Sequence, residues 1–101
     1  MKIKEGMKIQ EILEDKENWA DRAKLEKVAE FDNKEVYKYN EGGYDYTGLV
    51  VTVDGIVEEL ITIYEFFGDT LSAGNAVTAV GHEKLVLINL DTMEIKTKWT
   101  Q

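Results

Sequence analysis

Residues 49–66 read LVVTVDGIVEELITIYEF, two runs rich in β-branched side chains on either side of Asp54-Gly55. Asp-Gly supplies the positive φ angles that a two-residue hairpin turn demands, so the stretch predicts a pair of antiparallel strands. A helical face through Ile56, Leu60, Ile63 and Phe67 competes for the second run. Ile56, Val57, Ile61, Thr62 and Ile63 decide for strand, because side chains branched at Cβ lose rotamer freedom in a helix.

Upstream, residues 27–40 (KVAEFDNKEVYKYN) place apolar residues on both sides of Asp32-Asn33-Lys34, which predicts a strand, a tight turn and a second strand. A helix running through Phe31 is the competing reading. Downstream, residues 68–75 (GDTLSAGN) have the composition of a loop. Residues 76–99 (AVTAVGHEKLVLINLDTMEIKTKW) then read as about three short strands, with turns at Gly81-His82-Glu83 and around Leu90–Met93. Met93 stands where many hairpins carry glycine, so that turn either avoids a left-handed residue or holds strain. At the N-terminus, Met7, Ile9, Ile12 and Leu13 among polar residues fit an amphipathic helix that continues through Trp19, Ala20 and Ala23, or breaks in two near Asn18. The expected fold is α+β: a single domain over residues 1–101, with an antiparallel sheet of about five to seven strands and one or two short N-terminal helices.

Several kinds of chemistry are excluded by what the chain lacks. Residues 43–50 (GYDYTGLV) have the glycine spacing of a phosphate-binding loop, but Leu49 and Val50 stand where Lys and Ser or Thr would neutralise phosphate and hold magnesium. With no cysteine and a single histidine, His82, no zinc site can be assembled, and no segment has the ligand pattern of a calcium loop. We therefore expect no metal and no cofactor. The sole serine, Ser72, would have to pair with His82 for nucleophilic catalysis, yet its LSAGN context lacks the glycine two positions before the nucleophile of a strand–turn–helix elbow. Glu58-Glu59 would point to opposite faces of a strand and could not converge on one substrate atom. The expectation is a protein that is not an enzyme.

Charge is the strongest signal. Twelve Lys and Arg against 20 Asp and Glu give a formal net charge of -8, which repels nucleic acid and anionic lipid and favours a basic partner. No run approaches the roughly 20 apolar residues of a membrane span, nor is there a signal-peptide core, so a cytoplasmic setting is expected. The acidity is uneven: residues 33–67 hold 2 basic and 7 acidic side chains, and the same segment holds all 5 tyrosines.

Within it, Tyr37 and Tyr39 are two apart, as are Tyr44 and Tyr46, so on strands each pair shares a face. A reversal at Glu41-Gly42-Gly43 would set the pairs side by side, giving a tyrosine platform rimmed by Glu35, Glu41 and Asp45. Tyrosine offers a large apolar ring and a polar tip at low entropic cost, which suits binding surfaces. The same alternation also suits a half-buried sheet packed on a helix. The expected site for a basic protein partner is Tyr37, Tyr39, Glu41, Tyr44, Asp45 and Tyr46. In size and acidity the chain resembles immunity proteins that neutralise nuclease toxins and phage proteins that inhibit host defence nucleases; the likeness is one of composition and covers no motif. A small-molecule pocket lined by Trp19, Tyr37, Tyr39 and Tyr64, and a homo-oligomer joined through strand edges or the C-terminal IKTKW, are the alternatives.

Overall fold

The computed structural model describes residues 3–14, 24–40, 46–81 and 84–99, with the backbone alone for residues 24, 46–47, 64–69 and 99. One short helix, α1 (Ile9–Glu14), precedes seven strands: β1 (Lys24–Phe31), β2 (Lys34–Asn40), β3 (Tyr46–Val53), β4 (Ile56–Ala73), β5 (Ala76–Gly81), β6 (Lys84–Asn89) and β7 (Glu94–Trp99). Each strand pairs antiparallel with its neighbour in sequence, in the spatial order β1 to β7. The expected α+β class does not hold, because the protein is mostly β and its described helix is only 6 residues long. The proposed continuation through Trp19, Ala20 and Ala23 lies outside the described residues.

The 18-residue β4 sets the architecture. Fully extended at about 3.3 Å per residue it would run about 60 Å, whereas the longest dimension of the molecule is 35 Å. It therefore bends. Its register with β3 slips between Gly48↔Thr62 and Tyr46↔Phe66, and its register with β5 slips between Phe66↔Gly81 and Asp69↔Val80. Extra residues on one strand of a pair bend it and let it pass from one sheet layer to another. The result is two four-stranded antiparallel halves that share β4: β1–β2–β3 with its first part, and its last part with β5–β6–β7. The segment expected to be a loop, residues 68–75, is largely the end of β4; the reversal shrinks to Gly74-Asn75, with Gly74 at φ 59.

The halves pack on a shared core. Val36, Leu49, Val51 and Ile63 from the first meet Val77, Ala79, Val86, Ile88 and Leu90 from the second, all buried. The alternate residues of the first half face the other way, where Ile3, Ile9 and Ile12 of the N-terminal segment cover Tyr37, Tyr39, Val50 and Val57. That half is buried on both faces.

The turns follow the sequence logic in most places. Asp54 and Gly55 take φ values of 53 and 78, the left-handed pair that an Asp-Gly hairpin requires. Asp32, at φ 55, reverses β1 into β2, and the Asn33 side-chain amide donates to Asp54 Oδ1 at 2.9 Å, tying the two turns together. Met93 does adopt the left-handed region, at φ 61. The same turn is held by Asn89 Oδ1, which accepts from the backbone N–H groups of Asp91 and Thr92, and Met93 packs against the shared core.

Candidate functional site

Tyr37 and Tyr39 are 5% and 3% exposed. They lie in the helix-side core, not on the surface, because the apolar residues of the N-terminal segment need a face to cover and the outer face of the first half supplies it. These rings anchor α1. The Tyr37 hydroxyl reaches the rim and donates to Glu35 Oε1 at 3.0 Å. Burial, and then that carboxylate, push the phenol up to about 12. Glu35 also faces Lys27 at 3.4 Å, and Lys27 pairs with Glu30 at 2.9 Å. Glu41, Tyr44 and Asp45 lie outside the described residues; Tyr46 opens β3 opposite Phe66, and its side chain is likewise outside them. Of the alternative small-molecule pocket, Tyr37 and Tyr39 are thus taken up in packing, while Trp19 and the Tyr64 side chain lie outside the described residues.

Ser72 is exposed near the end of β4, and His82 is outside the described residues. Glu58 and Glu59 depart from the simple alternation expected of them. Val51 pairs with Glu59 and Thr52 with Val57, so Glu58 is an inserted bulge residue and both carboxylates are exposed side by side in sequence. Among the described residues no group of three His, Asp or Glu side chains is placed to hold a metal.

Among the described residues two other features face outward. The first is the outer face of the second half. Register places Leu71, Thr78, Leu87 and Lys96 in one row across it, and Val80, Leu85 and Lys98 in the next. Leu71 is 73% exposed and Val80 39%. A shallow depression runs between Ala76 and Thr78 on one side and Leu87, Asn89, Glu94 and Lys96 on the other. This apolar face is the counterpart of the one that α1 covers on the first half. Sequence reasoning missed it, although Lys84–Asn89 (KLVLIN) carries apolar residues in both phases of the alternation, the mark of a strand with two apolar faces.

The second feature is the edge of β4 beyond the point where the N-terminal segment lies against it. Comparison with known protein families, curated proteins and solved structures returns no match. The functional reading therefore rests on these surfaces. Among the described residues no helix is long and apolar enough to cross a membrane.

Proposed function

We propose that the chain is a non-enzymatic protein-binding module acting in the cytoplasm, with the outer face of its second half as the docking surface. The observation that carries this reading is the contiguous apolar set Leu71, Val80, Leu85 and Leu87 on a sheet face, with Leu71 and Val80 exposed. Exposed apolar patches rimmed by polar groups mark interaction sites.

The partner in this proposal is a basic protein, such as a nuclease whose nucleic-acid surface the module occludes. Charge distribution supports it. Residues 24–40 and 46–63, which build the first half, hold 4 Lys and 7 Asp or Glu, whereas residues 66–81 and 84–99 of the second half hold 3 Lys and 3 Asp or Glu. A basic protein is thus drawn by the acidic half toward a neutral, apolar neighbour that can be desolvated at little cost. A second copy is disfavoured, since each carries -8.

The test is capture from lysate of the source cell by immobilised wild type and by the double variant Leu71→Lys, Val80→Lys, which removes the anchors and adds charge of the partner's own sign. Expected is a basic protein held by wild type, released faster as salt rises and lost to the folded variant. Equal retention by both would refute the proposed surface.

A further inference from the structure

Along the side of β4 turned away from β3, the described residues place the N-terminal segment at its start and β5 from Phe66 onward. Gly6 N–H donates to Val57 O, Val57 N–H to Met7 O and Ile9 N–H to Gly55 O, each at 2.8 Å, and Lys8 bridges Ile56 in antiparallel fashion. The chain's own N-terminal segment is thus a strap added to this edge. Beyond it, pairing with β3 sets the direction of the backbone groups. Val57 points away from β3, the bulge at Glu58 shifts the phase by one, and Leu60 and Thr62 then point outward as Val57 does. An independent contact agrees: Lys84 Nζ donates to Thr62 O at 3.0 Å from outside the β3–β4 pair. The Leu60 N–H and C=O and the Thr62 N–H have no partner among the described residues, and β5 joins β4 only from Phe66 onward.

We propose that this edge, Glu58 to Thr62, takes an extended, basic segment of a partner protein as a short added strand. Main-chain hydrogen bonds to Leu60 and Thr62 supply the pairing, as the strap's do at Val57. The exposed carboxylates of Glu58 and Glu59 choose the occupant, since they favour lysine or arginine across the new ladder and would place four carboxylates together if two copies met edge to edge. Lys84 marks the position that a donor of the incoming segment takes at Thr62 O. This inference rests on the protein-binding reading and adds a second contact to it, distinct from the apolar face.

The experiment is amide NMR and hydrogen exchange on the full chain, with a short synthetic peptide of alternating lysine and valine as probe and a glutamate–valine peptide as control. Expected are shifted resonances for Leu60 and Thr62 with the lysine peptide alone, and exchange at both slowed by about tenfold or more. Thr62→Pro, with the fold checked by its remaining amide spectrum, should abolish binding, because the N–H it removes points outward. Glu58→Lys with Glu59→Lys should transfer binding to the glutamate peptide. Unchanged Leu60 and Thr62 amides, shifts confined to Leu71 and Leu87, or full binding by Thr62→Pro would each overturn the proposal. Failure here leaves the Leu71 and Val80 result standing, and the reverse also holds.

Discussion

Tyr37 shows how one side chain carries both packing and pH dependence. Its ring is buried beneath α1 while its hydroxyl donates to Glu35, and its phenol titrates at about 12 instead of about 10. The folded state therefore holds the proton more tightly than the unfolded chain. That preference is fully present below pH 10 and is lost as pH rises from 10 through 12. Tyr37→Phe keeps the ring but loses the hydrogen bond, at a cost of about 1 kcal/mol at neutral pH. Urea unfolding should show wild type losing stability above pH 10 more steeply than the variant; parallel curves would contradict the assignment. The spacing of Tyr37 and Tyr39 made it legible in the sequence that they share a face. Which face, core or surface, was not legible, because that depends on Ile3, Ile9 and Ile12 arriving from far along the chain.

Between β3 and its partner β4 there is no room for a side chain at Gly48. Gly48 faces Thr62 in a narrow pair, and a Cβ added there would collide with the Ile61 carbonyl oxygen, a backbone atom that cannot swing aside. Gly48→Ala should therefore destabilise by more than the roughly 1 kcal/mol scale of strand propensity, seen as a lower urea midpoint; a neutral outcome would mean that β4 shifts freely at its bend. The Asp54-Gly55 hairpin was legible because turn chemistry is local. The end of β4 was not: Gly68, Ser72 and Gly74 have the composition of a loop, and only pairing with β5 makes the segment a strand. The bulge at Glu58 is equally invisible in sequence, since it is a mismatch of register between two strands. At the far edge, Lys96 and Lys98 of β7 would face each other in a two-fold pairing centred on Thr97, which guards that edge against a second copy.

At the scale of the molecule, the two halves have one core between them. Leu90, fully buried just beyond β6, belongs to the same cluster as Val36 and Leu49 of the first half. Leu90→Ala should cost about 2 to 5 kcal/mol, and because the core is shared, hydrogen exchange should quicken in β2 and β3 as well as in β5 and β6, with one thermal transition throughout. Acceleration confined to the second half would mean that the halves unfold separately. Net acidity was legible from the whole sequence; its concentration beside an apolar, neutral face required the bend in β4. The uninterrupted neighbour order of the strands also bears on how the protein is made. Every ladder joins segments that leave the ribosome one after the other, and the described turns between them are short. The sheet can grow strand by strand during synthesis, with little loop-closure entropy to overcome at each step. Bending of β4 to close the core need wait only for β5 and β6, so the apolar face proposed as the docking surface is among the last to emerge.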